Sequence, residues 1–259
     1  MQLTKKATIA TVPFSKSKVD IIIPFYGQYE KVSALIRSIL LSVKSNPYQI
    51  TVIDDHSENS NFSQEINDQF KKNTLEGFRQ QVICIRNEKQ LGFGGSLQVG
   101  YENTNLPWVL FMHSDCLVED PHFMLEMGQS LLNYQNTPVK MVSARTNNTD
   151  CEKARAKIHE KENKDIILEK ETLPLFCSMC HRDLFNRIGG FIKSYPYAWY
   201  EDEELAFRMN KCGYKQAIST KAWVKHEGSA TIKYLWNKNP SSKQIMEDNR
   251  NLCIADMKK

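Results

Sequence analysis

Three short runs gather the residue types that could do chemistry: His113-Ser114-Asp115, Glu201-Asp202-Glu203-Glu204 and His226-Glu227. The first closes the apolar run Pro107-Trp108-Val109-Leu110-Phe111-Met112, which reads as a buried strand. Ligands of open α/β sheets collect at the carboxyl ends of strands. A carboxylate placed there, Asp115, can hold a divalent cation against a phosphorylated ligand, although strand-end Asp residues also form ordinary turns. The acidic run opens a segment with Leu205, Met209 and Cys212 at helical spacing, with Gly213 fitting the position just past a helix end. It therefore sits near a helix N-terminus, where the dipole favours an ionised carboxylate, and an ionised carboxylate can accept a proton. A solvated acidic first turn is the ordinary fate of such a run. A lone His such as His226 is more often a surface or satisfied core residue than a ligand.

The elements that must position these groups alternate along the first half. Strands are expected at Val19–Pro24, Gln49–Ile53, Gln81–Ile85 and before His113, and helices at about Tyr29–Lys44, Gln64–Lys72 and Gly92–Glu102. Val32, Leu35, Ile36, Ile39, Leu40 and Val43 form a helical stripe in the first of these helices. Strands alternating with helices imply parallel βαβ units. The second half is less regular. It predicts helices at Pro121–Tyr134, Arg182–Ile188 and Glu201–Cys212, a strand at Val139–Ala144 and an extended Lys215–Val224. Asp150–Glu171, dense in mixed charge, reads as a solvated helix or mobile loop. With no repeat and no low-complexity linker, one α/β domain is expected, with a mostly parallel central sheet flanked by helices.

Composition narrows the partners. The chain has 259 residues, with 34 Lys plus Arg against 30 Asp plus Glu, a net charge of +4. Lys5, Lys6, Lys16 and Lys18 stand in an acid-free stretch, residues 1–18, that alone accounts for this excess. The neutral remainder, 19–259, lacks the basic face that nucleic acid requires, and the tail supports at most peripheral membrane contact. No run approaches the roughly 18 apolar residues of a membrane span, and no signal-peptide core is present, so a cytoplasmic location is expected. Seven Cys without framework spacing suit reduced thiols. Cys177 and Cys180 form a single CxxC without a second pair, which reads as buried small residues rather than a zinc site.

Seven pieces in order resemble the inverting, GT-A-fold glycosyltransferases of family 2: Ile21-Ile22-Ile23-Pro24-Phe25-Tyr26, Val52-Ile53-Asp54-Asp55-His56-Ser57, Leu91-Gly92-Phe93-Gly94-Gly95-Ser96, His113-Ser114-Asp115, Ile188-Gly189-Gly190-Phe191, Tyr200-Glu201-Asp202 and His226-Glu227-Gly228-Ser229. The resemblance spans roughly 19–232, and Phe191–Leu205 is similar to bacterial polysaccharide rhamnosyl- and galactofuranosyl-type members. It implies a single Rossmann-like GT-A domain with a donor half at about 19–118, an acceptor half at about 119–232 and a C-terminal flap and helix at about 233–259. It also implies a nucleotide-diphosphate sugar donor, a glycan or glycoconjugate acceptor and Mn²⁺ or Mg²⁺.

By the same resemblance, Asp115 holds the last, metal-binding place of the DxD motif and His226 is the second protein ligand. His113 replaces the usual first acid and faces the donor ribose or a metal-bound water. Pro24, Tyr26, Asp54, Asp55, Gly92, Gly95, His113 and Ser114 contact the donor. Asp54 and Asp55 do so as strand-end carboxylates for a base or ribose, and the glycines as a backbone approach opening a helix N-terminus. Asp202 is the general base and Glu201 its runner-up, with Glu203 and Glu204 left to capping or salt bridges. Acceptor recognition falls at about Phe176–Tyr200, including Trp199 and Tyr200, whose aromatic faces can stack on sugar rings or belong to the core. Residues 230–242 are expected to close over the donor.

Two other classes compete. A non-catalytic sugar-nucleotide or glycan-binding module on the same fold is one, because fold does not fix activity. A nucleotidyltransferase would favour a basic N-terminal phosphate loop, which Pro24-Phe25-Tyr26-Gly27 does not supply. A dinucleotide fingerprint is also absent, since Leu97 stands where the third glycine belongs.

Overall fold

The computed structural model describes residues 14–70, 74–75, 78–79, 81–169, 172–173, 175–191, 199–228, 234, 236–237 and 242–258. Its strands are β1 (Val19–Phe25), β2 (Tyr48–Asp54), β3 (Thr74–Leu75), β4 (Phe78–Arg79), β5 (Gln81–Arg86), β6 (Trp108–Met112), β7 (Cys116–Leu117), β8 (Val139–Arg145), β9 (Ile166–Leu168), β10 (Cys177–His181), β11 (Lys215–Trp223) and β12 (Lys225–His226). Its helices are α1 (Tyr29–Ser42), α2 (Phe62–Phe70), α3 (Gly92–Glu102), α4 (Phe123–Asn133), α5 (Asp183–Ile188), α6 (Glu201–Lys211) and α7 (Ser242–Met257).

The central sheet runs β5-β2-β1-β6-β10-β8-β11-β9. β5, β2, β1 and β6 are mutually parallel, as are β8 and β11, while β10 and β9 run against their neighbours. Strand β1 shows how sequence feeds the layers. Successive side chains of a strand point to opposite faces. Ile21 and Ile23 join a core that includes Val32, Leu35, Ile36 and Ile39 of α1 and Phe123 and Met127 of α4. Ile22 joins the opposite core with Leu97 of α3, Leu184 of α5 and Leu205 and Met209 of α6. A sheet buried on both faces requires the continuous apolar runs seen at 21–25 and 108–112.

Two departures from the sequence expectation matter. Cys177–His181 is a strand, β10, inserted antiparallel between β6 and β8. Cys177, Met179 and Cys180 are fully buried, so the run carries neither alternation nor a long apolar signature, and burial drives both thiols up. The charged stretch Asp150–Glu171, described to residue 169, is neither one solvated helix nor wholly a loop, and holds a single 3-10 turn at Glu152–Ala154. Its Ile166–Leu168 forms β9 and pairs with Ala217 and its neighbours at the sheet edge. A short strand with Ile167 facing outward is masked in sequence by the charges around it.

The sheet is fastened at its amino end by a buried ion pair. Asp20 of β1, fully buried, accepts hydrogen bonds from Leu106 N at 2.7 Å and from Arg182 Nη2 at 2.9 Å. Arg182 also donates to the carbonyls of Leu106 and Tyr101. Burial still raises the Asp20 carboxyl above its usual value despite the guanidinium. Removing the cation therefore leaves a poorly solvated acid, and breaking such pairs destabilises by about 3–5 kcal/mol. Arg182→Met is expected to lower the urea-unfolding free energy by about 3 kcal/mol, and adding Asp20→Asn to recover part of that loss. A stability equal to the parent for Arg182→Met would show that the pair is only an exposed contact.

Candidate active site

The carboxyl ends of β1, β2 and β6 meet on one edge of the sheet, and the predicted residues stand there. After β6, His113 N donates to Phe176 O at 2.8 Å, and the chain turns so that Asp115 faces back. β7 then pairs with β12, with His226 opposite Cys116 and Lys225 opposite Leu117. This brings His226 Nε2 to 3.2 Å from Asp115 Oδ1 and 3.3 Å from His113 Nδ1, with His113 Nδ1 and Asp115 Oδ1 3.9 Å apart. The three ligand atoms lie within 4.8 Å of one another. A carboxylate oxygen and two imidazole nitrogens suit a divalent first-row metal.

His226 is held on several sides. Its Nδ1 bonds the Asn148 carbonyl at 2.9 Å, which assigns the proton to Nδ1 and turns Nε2 to the cluster. The Asn147 side chain accepts from His226 N at 3.0 Å and donates to His226 O at 3.1 Å. Phe176 stacks on its ring at 5.1 Å and 17°. Burial opposes a charge on His226, but the hydrogen bond and charge of Asp115, with the Asn148 carbonyl, outweigh it and raise the imidazole above its usual value. Burial, with His226 acting in the same sense, pushes His113 down to about 4. A third of the His113 side chain remains exposed, so water tempers that shift without changing its direction.

The acidic run is linked to this cluster through two consecutive residues, Leu175 and Phe176. Leu175 N donates to Asp202 Oδ2 at 3.3 Å, and Phe176 is the residue that touches both His113 and His226. Burial first, then Glu203, raises the Asp202 carboxyl to about 7. Glu201 is buried, and its Oε2 has no hydrogen-bond partner among the described residues. Burial and the neighbouring Asp202 hold Glu201 well above the carboxylate range. Glu204 is tied to Arg208, which also donates to Ile188 O, so it is a salt-bridge residue. Trp199 and Tyr200, just before α6, both adopt left-handed backbone, φ 82 and φ 72. Two such residues in a row cost about 1–3 kcal/mol each and concentrate at functional sites.

At the β1 and β2 ends the carboxylates face inward. Asp54 Oδ1 accepts from Ser57 N, and its Oδ2 from Ser63 and Arg86. Asp55 Oδ1 accepts from Asn87 Nδ2 at 2.9 Å and Leu91 N at 2.7 Å, and its Oδ2 from Gly92 N at 2.9 Å. Burial raises Asp55 above its usual value although these donors oppose it. Asp55 thus anchors the left-handed Gly92 (φ 76) and the start of α3, whose Phe93 packs edge-on against His113 at 4.7 Å. Gly95 has no room for a side chain, since a Cβ would lie 2.8 Å from Leu91 Cβ. Pro24 is buried within β1 and Ser114 is buried beside Asp115, whereas Tyr26 is partly exposed and meets the Tyr234 ring. Of the stretch 229–241 only Tyr234, Trp236 and Asn237 are described, so the expected closing segment falls mostly outside the described residues, as do 192–198 within the acceptor region and 1–13 of the basic tail. A groove of about 380 Å³ beside Trp108, Val139 and His181 opens at the other end of the strands, away from this cluster.

Phe176, Asn87, Asn147 and Asn148 were not singled out in the sequence. The run Thr146-Asn147-Asn148-Thr149, directly after a predicted strand, carried a signal, because polar turn residues at a carboxyl strand end share the edge where ligands collect.

The large central sheet flanked by helices is that of the GT-A fold. The chain belongs to glycosyl transferase family 2, whose profile matches residues 20–189. Among solved structures it is similar to the mannosyltransferase PcManGT from Pyrobaculum calidifontis in complex with GDP-Man and Mn²⁺, at TM-score 0.66 and 13% identity over 90% of this chain and 64% of that one. It is similar to GalNAc-T7 with UDP, GalNAc and Mn²⁺, at TM-score 0.65 and 13% identity over 91% and 55%. It is also similar to S. aureus TarS 1–349, at TM-score 0.58 and 14% identity over 84% and 63%. The chain spans less than two thirds of the length of each. No curated protein matches it in sequence.

The Asp55 cradle gives a direct test. Asp55→Asn removes one acceptor from three buried donors, and an unsatisfied buried donor costs about 1–3 kcal/mol. Urea unfolding should shift by that amount, with amide exchange at Leu91 and Gly92 accelerating. Unchanged exchange there would mean that Asp55 does not organise the start of α3.

Proposed function

We propose that this chain is a metal-dependent inverting glycosyltransferase that moves a sugar from a nucleotide-diphosphate donor to an acceptor hydroxyl. The observation that carries this reading is the link through Leu175 and Phe176. It connects a carboxylate with a raised pKa, by two adjacent backbone residues, to a two-imidazole, one-carboxylate cluster at the carboxyl edge of the sheet. Family membership supports sugar transfer, and the donors bound by the neighbours, GDP-Man and UDP-GlcNAc, support a nucleotide-sugar class. The likeness of Phe191–Leu205 to rhamnosyl- and galactofuranosyl-type members places those donors in the panel to be tried.

In this reading residues 19–118 receive the donor and 119–232 the acceptor. Asp202 accepts the proton of the acceptor hydroxyl as its oxygen attacks the anomeric carbon in line, and the configuration inverts. Glu201, held neutral, does not compete for that proton and offers a hydrogen-bond donor instead. A divalent cation held by Asp115 and His226 would neutralise charge on the departing nucleotide diphosphate. Tyr26 and the backbone around Gly92 and Gly95 border the nucleotide. Among the described residues no helix is long and apolar enough to cross a membrane.

The deciding experiment incubates the protein with a panel of nucleotide sugars and Mn²⁺, with and without excess chelator, and follows donor hydrolysis and transfer. Metal-dependent release of nucleoside diphosphate from one donor is expected. Tight donor binding with no release under any acceptor would favour a binding module.

Asp202→Asn should lower turnover by at least about 100-fold, the low end for loss of a general base, while donor affinity changes little. In the parent, kcat/KM should rise with pH through a midpoint near about 7, because the raised carboxyl is protonated below it and can act as a base only above it. A flat profile across that range, or near-parental turnover of Asp202→Asn, would place the base elsewhere.

A further inference from the structure

We propose that His113 is a third protein ligand of the metal, not a ribose or water contact, and that it turns the site into one that prefers a first-row transition ion over Mg²⁺. The inference deepens the metal assignment above and rests on it. Three observations on this chain support it.

The first is the shape of the donor triangle. With edges of 3.2, 3.3 and 3.9 Å, the point equidistant from His226 Nε2, Asp115 Oδ1 and His113 Nδ1 lies about 2.0 Å from each, the length of an ordinary metal–nitrogen or metal–oxygen bond. The three atoms can therefore share one ion without rearrangement. The three donors would leave the remainder of its coordination sphere for diphosphate oxygens and water.

The second is that both imidazoles are held before any ligand arrives. His226 is fixed by the Asn148 carbonyl and the Asn147 side chain. His113 has its backbone N–H held by Phe176 O, and its ring is packed edge-on by Phe93. Side chains oriented in this way lose little freedom on binding an ion, and such outer partners commonly govern affinity by about 10–100-fold.

The third is chemical. Carboxylate and water suit both Mg²⁺ and Mn²⁺, but Mg²⁺ gives up its water reluctantly and demands near-ideal octahedral geometry, so an imidazole-rich site costs Mg²⁺ more than a transition ion. Replacing an acid by His at position 113 removes a hard ligand and adds a softer one. It also leaves a single carboxylate to balance two positive charges until the diphosphate binds. A site of this composition should hold Mn²⁺ without nucleotide and discriminate against Mg²⁺.

The test uses the full chain, freed of metal, with Mn²⁺ and Mg²⁺ as probes. Free Mn²⁺ is followed by its EPR signal during titration, with Mg²⁺ as competitor. One equivalent of Mn²⁺ is expected to bind without nucleotide. His113→Asp, checked for folding by circular dichroism, should lower the Mn²⁺-over-Mg²⁺ preference by at least about tenfold. Pulsed EPR of the Mn²⁺-loaded parent, which does not depend on any variant folding, should read nitrogen couplings from two imidazoles. Coupling from one imidazole, or an unchanged preference in a folded His113→Asp, would overturn the role of His113 while leaving Asp115 and His226 as ligands. Failure of the parent to bind Mn²⁺ even with UDP present would overturn the metal assignment itself.

Discussion

A two-residue ladder holds the candidate site together. Cys116 and Leu117 pair with His226 and Lys225, and the Glu227 N–H extends the contact to the Asp115 carbonyl at 3.1 Å. Without this pairing His226 would have no reason to face Asp115, since the two belong to distant parts of the chain. So short a ladder is marginal alone, and the surrounding structure supplies what it lacks. Asn147 grips the His226 backbone at both its N–H and its carbonyl. Asn148 donates to Glu227 O and packs against Gly228, whose left-handed backbone (φ 76) leaves no space for a Cβ there. Lys31 of α1 pairs with Glu227 from the other side. The turn after β8 is thus a structural part of the cluster, although neither asparagine is a ligand in it.

Environment then separates the carboxylates into roles. Asp115 is drawn into contact with two imidazoles and raises His226 above its usual value. Asp202 and Glu201 lie in the first turn of α6, where a dipole would favour their charge, yet burial overrides the dipole and raises both. Titratable groups whose surroundings push them apart are the ones that acid–base roles can be read from. Glu201, deeper and without a partner for Oε2 among the described residues, is pushed further than Asp202, which keeps the Leu175 N–H. That single backbone bond favours the anion of Asp202 over that of its neighbour.

The parallel half of the fold was legible because its signals are local and redundant. The runs 48–54 and 81–86 end in polar residues, 108–112 runs straight into His113, and the stripe from Val32 to Leu40 has helical spacing. The second half was harder for a physical reason. β10 is a strand buried among strands, so its Cys-Ser-Met-Cys-His sequence needs neither alternation nor β-branching. β9 pairs on one side only, which lets charged neighbours dominate its composition. The acids at 54, 55, 115 and 202 were visible as acids at element ends, but which oxygen faces a protein donor is a tertiary fact. Asp54 and Asp55 read alike in sequence. In the structure Asp54 joins Arg86 and Ser63, while Asp55 caps the entry to α3.

The C-terminal part of the chain reaches both ends of this edge. Tyr234 lies over Gly27, close enough that a Cβ on Gly27 would fall 2.5 Å from its ring, and it meets Tyr26 edge-on. Trp236 stacks on Trp199 at 6.4 Å, and Cys253 of α7 contacts the Tyr200 carbonyl, both beside the strained entry to α6. Backbone strain persists only where surrounding contacts over-determine it. The residues that hold Trp199 and Tyr200 are therefore part of what aims Asp202. Tyr234 borders the β1 turn, and Trp236, two residues on, packs beside the entry to α6. A side chain at residue 27 would require the Tyr234 ring to leave the β1 turn, so the glycine and the tyrosine are matched to each other.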